Sequence, residues 1–581
     1  MTTITSESSF DCFSTASLQQ GFDSLSIEQQ YAFSLFTRGD NIFVTGPGGT
    51  GKTRLIQFMA EYMNSIGKTF QVCALTGCAA TLLNCKAKTI HSWSGVKLAK
   101  GNPEDIIRRV TRNRVCVKSW RGVEVLIVDE VSMMSSKMFE VLDQIGRLAR
   151  KNGSKPFGGI QLIFTGDFFQ LPPIPDYDDP TSGEFCFQNP KWEKIFKPDH
   201  CVELKTFFRQ TDPTYISILQ EVRRGTISPK NIEVLQTRLK RGGCSVESRN
   251  GVVPTKIFPV RVKVDTINET SYAKLEGDER VYNYSFTTSA KIHIDTGASL
   301  SASEFAYCEG FTSEQLLSEV DNLISSFMAD KTVKLKIGSL VMCSANIDVD
   351  RGICNGSQGV VIGYAESSTA ILPDELMRRP TGIALIPVVR FANGVTMKIA
   401  PHQRQSEEIP CVIVAQIPLC LAWALTIHKI QGATLDMAEM DIGRSIFAHG
   451  QSYVALSRVK TLDGLYLSEF ISTKIKANPL VIEFYNLFKQ IGEDEMKTEI
   501  VRILSNPISS HIATSRGSGS KDTPCNAIEQ KQTHMETFTT HGNIAKSNIF
   551  NSFKHVETSE LREEEPVAKD PTVKTIKLSK Y

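Results

Sequence analysis

A chain of 581 residues, 41% of them hydrophobic, holds enough apolar material for several packed cores and roughly three to four domains. Its 65 basic and 63 acidic residues leave a formal net charge of +2, which excludes a wholly basic coat, so nucleic-acid binding would have to come from a local groove. The 14 cysteines form no C-x-x-C pair, which speaks against a zinc ribbon or a thioredoxin-like centre and for reduced thiols in an intracellular compartment.

The first 37 residues carry no Lys or Arg, so neither a secretory nor a mitochondrial presequence is expected; the nucleus is favoured, with the mitochondrion and a viral origin left open. Residues 1–20 are Ser/Thr-rich without apolar period, and 505–581 are rich in Ser, Thr, Lys and Glu; both ends are expected to be disordered. Between them the runs 41–45, 70–75, 123–128 and 160–165 read as buried parallel strands alternating with helical patterns, which makes the fold α/β. Leu55, Phe58, Met59, Tyr62, Met63 and Ile66 repeat at helical spacing, and Gly67 closes that helix.

These elements belong to a first domain over 21–204. Within it, Lys97, Lys100, Arg108, Arg109, Arg112, Arg114, Lys118 and Arg121 face only Glu104 and Asp105, so the segment 97–121 is a candidate phosphate-tracking wedge as well as an ordinary solvated face. A second α/β region spans 205–275 and 401–480, interrupted by an insertion at 276–400. From about residue 334 the insertion is dense in short strands and Gly turns such as Asn355-Gly356-Ser357, and reads as a small β-barrel. The most apolar stretch, 411–427, carries Gln416 and Pro418 and reads as a strand followed by a helix, not as a membrane span.

Chemistry concentrates in Gly46-Pro47-Gly48-Gly49-Thr50-Gly51-Lys52-Thr53, which has the spacing G-x-x-x-x-G-K-T between a predicted strand and a predicted helix. Glycines let backbone N–H groups converge on phosphate oxygens at the helix N-terminus, Lys52 reaches the outer phosphates, and the Thr53 hydroxyl helps hold Mg²⁺. The run Leu126-Ile127-Val128-Asp129-Glu130 ends in two carboxylates: Asp129 is the expected Mg²⁺ partner and Glu130 the general base that activates water, which favours a hydrolase. Arg209 and Arg458 are candidates for cations that touch the γ-phosphate as charge develops.

Several ordered segments together resemble the petite integration frequency (PIF) helicases, superfamily 1B DNA motors. They are Leu25-Ser26-Ile27-Glu28-Gln29, the phosphate loop, Thr76-Gly77-Cys78-Ala79-Ala80, Thr89-Ile90-His91-Ser92, Asp129-Glu130-Val131-Ser132-Met133, Gly166-Asp167-Phe168-Phe169-Gln170-Leu171-Pro172-Pro173, Phe208-Arg209-Gln210, Thr426-Ile427-His428-Lys429-Ile430-Gln431-Gly432 and Gln451 to Arg458. The stretch 140–161 resembles the family's own signature, which separates it from RecD-type helicases, whereas 276–330 fits the family pattern poorly.

The resemblance implies two RecA-like P-loop motor domains with an inserted SH3-like β-barrel. It further implies that Gln29 recognises the adenine of ATP, that Gln170 senses the γ-phosphate, and that Arg209 and Arg458 clamp it from the second domain. Thr76, Thr89, His91, Thr426, His428 and Lys429 would line a groove for single-stranded or forked DNA, with G-quadruplex and RNA–DNA hybrids as further substrates. The implied activity is 5′-to-3′ ATP-dependent unwinding in replication, repair, recombination and telomere maintenance by a monomer. A protein-stripping translocase, a RecD-type nuclease subunit and an inactive recruitment scaffold carry overlapping motifs. Trp93 and Trp423 are read as core before base-stacking residues, and 532–539 resembles a sliding-clamp peptide in which Thr539 replaces an aromatic.

Overall fold

The computed structural model describes residues 16–505 apart from 84, 97–100, 176–178, 240–248, 290, 295–296, 326–329, 349, 367–384 and 407–408. Lys97, Lys100 and the clamp-like 532–539 thus lie outside the described residues. Everything described belongs to one compact unit.

The first sheet has six parallel strands in the order Lys88–Thr89, Phe70–Ala74, Val125–Asp129, Gln161–Thr165, Ile42–Thr45, Cys201–Glu203. Its strands Ile42–Thr45 and Val125–Asp129 are buried at every position because helices cover both faces, as a parallel sheet requires. Gln161–Thr165 sits between the strand that feeds the phosphate loop and the strand that ends in Asp129, so the two chemical motifs emerge side by side at the sheet's carboxyl edge. Ligands collect at this edge in open α/β sheets.

A second parallel sheet runs Ala424–Thr426, Thr255–Phe258, Ala438–Ile442, Leu465–Phe470. Between its first strand in sequence and the remaining three lies the insertion. A five-stranded antiparallel sheet, Thr396–Lys398, Leu385–Phe391, Gln358–Glu366, Leu340–Cys343, Leu419–Leu421, encloses its own core of Val341, Val361, Val389, Phe391 and Leu419.

Two expectations are corrected. Residues 411–427 contain no helix: they form three short strands, Ile413–Gln416, Leu419–Leu421 and Ala424–Thr426, each in a different sheet. The apolar run is explained by burial on both faces, and Pro418, which has no N–H to give to a ladder, falls between two of the strands. At the other end, disorder does not extend to residue 20. A helix, Ala16–Asp23, buries Leu18 and Phe22 one turn apart, and the Phe22 ring lies 5.7 Å from Phe33.

The chain also continues in ordered form past 480. Pro479–Asn486 and Glu493–Ser505 return to the first sheet, the first burying Phe484 and Tyr485, the second Met496, Ile500, Ile503 and Leu504 against the helix Ile27–Arg38.

Candidate active site

The phosphate loop leaves the strand Ile42–Thr45 and ends where the helix Lys52–Ser65 begins. Gly49 (φ 92°) and Gly51 (φ 80°) take left-handed backbone that side chains resist. They also sit where no side chain fits: a Cβ on Gly49 would stand 2.7 Å from Arg209 Cβ, and one on Gly51 2.5 Å from Gln29 Nε2. No side chain caps this helix, so its first N–H groups face the loop's concavity unpaired by a cap, as an anion site needs.

Lys52 curls over the loop, donating to the carbonyls of Gly46 at 2.7 Å and Pro47 at 3.0 Å. Burial pulls its pKa down, against the attraction of Asp167, Glu130 and Asp129. An ammonium whose charged form is disfavoured in this way gains by meeting the anionic phosphates of a nucleotide. Thr53 is exposed on the first turn of the helix, one residue on.

Asp129 is the last residue of its strand. One carboxylate oxygen accepts from the Thr165 hydroxyl and, at 2.8 Å, from the Glu130 N–H. Glu130 itself has φ 57° and ψ 39°, a conformation that costs a non-glycine residue about 1–3 kcal/mol and turns its carboxylate toward the cleft. Burial raises the pKa of both acids; for Glu130 the neighbouring Asp129 adds to the rise, while Lys52, Arg458 and Gln431 oppose it. A hydroxyl and a carboxylate flanking a phosphate site form the all-oxygen donor set that suits Mg²⁺, so Thr53 and Asp129 would hold it. When bound, that ion supplies charge neutralisation for phosphate oxygens.

The second sheet's helix Gln451–Leu456 brings the opposite wall. Tyr453 accepts a hydrogen bond from the Gly48 N–H at 2.9 Å. A Cβ on Gly48 would stand 3.1 Å from Arg458 Nη2 and 3.6 Å from Arg209 Nη1, so both predicted cations reach the phosphate loop. The Ser457 carbonyl accepts from Arg209 Nη1 at 3.1 Å, and the Ser457 hydroxyl accepts from Arg458 Nη2 at 2.8 Å. Burial pulls both guanidinium pKa values down, and for Arg209 the charge of Arg458 comes next. Two like charges side by side, Arg458 buried and Arg209 half-buried, are what an arriving triphosphate would relieve.

Gln170 is buried at the end of the Gly166 turn with its Oε1 left without a hydrogen-bond partner, and Gly450 packs on its backbone. A buried amide oxygen costs free energy unless something approaches it, which marks Gln170 as facing a ligand or a water. Gln29 is fully engaged: it accepts from Ser26 N at 2.9 Å and donates to the carbonyls of Thr50 and Gly51 at 3.4 and 3.1 Å. It is therefore at the loop, and reading a base means exchanging one of these bonds.

The candidate DNA residues gather at strand ends. Thr76 and the Thr89-Ile90-His91 turn follow two strands of the first sheet, while Thr426, His428 and Lys429 close Ala424–Thr426 of the second. The three threonine hydroxyls each accept from a backbone N–H at 3.2 Å, of Ala79, Ser92 and Lys429 respectively, which uses a lone pair and not the proton. Burial lowers the pKa of His91 and His428, which favours the neutral imidazole at each. The two groups approach each other across the cleft, since a Cβ on Gly432 would stand 3.0 Å from Leu82 Cδ1. Trp93 is core, its ring 4.7 Å from Trp120. Arg112, Arg114 and Lys118 are exposed on the helices Pro103–Arg112 and Arg114–Gly122.

Sequence reasoning assigned no role to Gln431 and Tyr453, although both lie inside quoted motifs, or to Arg223 and Tyr485, which lie outside them. Only proximity in the fold reveals the last two.

A nucleotide-binding loop on one parallel sheet, met by Arg458 beside a second sheet and by Arg209 in the segment between the two, defines a two-domain RecA-like fold. The family described as PIF1-like helicase matches residues 24–233, and that described as DNA helicase Pif1, 2B domain, matches 320–364. The ATP-dependent DNA helicase PIF1 of Xenopus laevis is 33% identical over 464 residues, which are 80% of this chain and 64% of that protein. A Pif1 helicase from Candida albicans shares the fold with a TM-score of 0.60 at 31% identity, covering 80% of this chain and 99% of that one. A Pif1 helicase from Bacteroides, solved with ADP-AlF3 and single-stranded DNA, aligns at 27% identity with a TM-score of 0.52 over 81% of this chain and 98% of its own. The chain belongs to the PIF1-like helicase family. It spans a little under two thirds of the curated relatives first matched, 64% and 61% of the Xenopus and Emericella proteins.

Proposed function

We propose that this protein is an ATP-dependent DNA helicase that moves 5′ to 3′ along single-stranded DNA and opens duplex or structured DNA in replication, repair, recombination and telomere maintenance. The observation that carries the reading is the approach of Arg209 and Arg458 to Gly48, which joins the nucleotide site to both motor domains. Lys52 and Thr53 take the phosphates and Mg²⁺ on one wall, Asp129 completes the ion's ligands, Glu130 activates water, and Gln170 stands by the γ-phosphate.

Opening one base-pair step costs about 1.4 kcal/mol and ten steps about 14 kcal/mol, so sustained unwinding needs coupled hydrolysis. Closure of the cleft on ATP and release after hydrolysis would shift Thr426, His428 and Lys429 against Thr76, Thr89 and His91, turning alternating grip into movement. The antiparallel sheet of the insertion is assigned as an SH3-like barrel beside the DNA path, and the exposed arginines of 103–122 as a wedge at the fork. The protein would act as a nuclear monomer on single-stranded and forked DNA, with G-quadruplex and RNA–DNA hybrids as further substrates.

Unwinding of duplexes that carry only a 5′ tail or only a 3′ tail, with Lys52→Ala in parallel, tests the reading. The 5′-tailed substrate should open and the variant should be inert. Preference for the 3′ tail overturns the polarity, and an active Lys52→Ala overturns the mechanism.

A further inference from the structure

The helix Pro479–Asn486 lies beyond every motif of the site, yet it carries a tyrosine into the floor of the phosphate loop. The Tyr485 hydroxyl lies 2.5 Å from Thr45 Oγ1, 3.2 Å from Phe168 N and 3.3 Å from an Asp167 oxygen. Chemistry alone assigns the protons. The Phe168 N–H only donates and an ionised carboxylate only accepts, so the phenol gives its proton to Asp167, and Thr45 must donate its own. One buried hydroxyl thus has its proton and both lone pairs committed. Thr45 directly precedes Gly46, and Asp167 and Phe168 begin the turn that ends at Gln170.

Asp167 is held from the other side by Arg223, whose Nε and Nη2 donate to it at 3.0 Å each, while Nη1 donates to Glu203 at 2.7 Å. The guanidinium lies 4.7 Å from the Phe169 ring centre and 5.2 Å from that of Tyr485. Arg223 ends the helix Pro213–Arg223, and Tyr215 of that helix donates to the Leu456 carbonyl at 2.7 Å, two residues before Arg458. Asp167 is also the foremost of the carboxylates that attract Lys52. An unbroken set of buried contacts therefore joins the arginine helix of the second sheet to the strand before the phosphate loop.

We propose that Tyr485 is a positioning residue for nucleotide hydrolysis: its hydroxyl keeps Asp167 on Arg223 and off Lys52, and fixes Thr45 and the Gln170 turn at the spacing that a closed cleft needs. The inference rests on the reading of the phosphate loop as a hydrolytic site. Burial, then Asp167, raises the phenol's pKa well above its usual value, so it remains a neutral donor throughout the working range.

Tyr485→Phe in the full chain removes the hydroxyl and keeps the ring. The expected result is a fall of about tenfold in kcat for ATP with KM within about twofold, the pattern of a misplaced catalytic group and not of lost ground-state binding. Tyr485→Ala should lower Tm markedly and add little further loss in kcat. Thr45→Val combined with Tyr485→Phe should be no worse than the poorer single variant, because both remove one shared bond. Wild-type kcat in Tyr485→Phe, a kcat loss that tracks the Tm loss from Phe to Ala, or multiplicative effects of the Thr45 and Tyr485 changes would each overturn the proposal. Wild-type protein and Lys52→Ala run alongside separate the two levels: an active wild type with an indifferent Tyr485 sinks this inference alone, and a wild type no more active than Lys52→Ala sinks the hydrolytic reading beneath it.

Discussion

Gln431 donates its side-chain amide to the Glu130 carboxylate at 3.1 Å, linking the second sheet's Thr426–Gly432 turn to the acid expected to activate water. The bond spans the cleft between the two motor sheets, so Glu130 is oriented only while the cleft is closed. That is a direct physical route by which a change at Thr426, His428 or Lys429 reaches the nucleotide.

The first prediction concerns that bond. Burial and Asp129 raise the Glu130 pKa, and Gln431 is among the groups that oppose the rise by stabilising the charged form. A general base works only when ionised, so activity should fall as pH drops through this raised pKa. Removing the donor in Gln431→Ala moves the acid limb of the kcat profile to higher pH. On the acid limb, below the raised pKa, kcat should drop by about tenfold, the low end of what one hydrogen bond to a charged group is worth. An unmoved acid limb would mean that Glu130 is not the group that titrates in kcat.

The second concerns the arginine pair. Arg209 and Arg458 both lean on Ser457 and both approach Gly48. Each alanine variant should lower kcat by about 10³, the lower end for an arginine finger. The double variant should lose little more, since groups that serve one charge are not additive. Single-turnover hydrolysis measures this, and full activity in either single variant would remove that residue from the clamp.

The fold's chemical half was legible because its signals are local. A Gly-rich loop between strand and helix, and an apolar run ending in Asp129-Glu130, state their geometry within a few residues, and Arg209 and Arg458 do lie at the loop. Long-range packing was not legible in the same way. The run 411–427 reads in sequence as strand and helix because apolar residues buried on both faces have no period, and only the sheets they join reveal three strands. Leu18 and Phe22 show only one helical turn of pattern, too little to outweigh a Ser/Thr-rich neighbourhood. Tyr485 gives no local signal at all: its meaning comes from Thr45 and Asp167, hundreds of residues away in sequence.

The third prediction tests cleft closure at its narrowest point. Gly48 lacks the left-handed φ of its neighbours, so alanine suits its backbone, yet the added Cβ would press on Arg458 Nη2 at 3.1 Å. Gly48→Ala should therefore bind ADP as the wild type does, while kcat falls by up to about tenfold, because the Arg458 tip has to give by a few tenths of an ångström. Equilibrium binding of a fluorescent ADP together with steady-state hydrolysis reads both. Loss of ADP binding would place the damage in the loop itself and not in its contact with the arginines.

The fourth concerns Asp143, in the segment 140–161 that carries the family's own signature. Asp143 has no solvent exposure; it accepts from Arg147 Nε at 2.8 Å, Lys191 Nζ at 2.7 Å and Phe157 N at 2.8 Å. It thereby pins Phe157, whose φ of 48° is strained, beneath the helix Ser136–Ala149. Burial works against the charged form, but the bonds from Lys191, Phe157 and Arg147 more than offset it and hold the pKa below the usual carboxylate value. A carboxylate with a depressed folded pKa contributes stability that is complete above the unfolded value near 3.9 and disappears as pH falls through the lower folded value. Asp143→Ala should therefore cost about 3 kcal/mol, the low end for breaking a buried ion pair because Lys191 and Arg147 keep access to water. In urea unfolding followed by tryptophan fluorescence, the gap between wild type and variant should be constant from pH 8 to about pH 5 and close below about pH 4. A gap that persists unchanged at acid pH would show that Asp143 acts through packing and not through its charge.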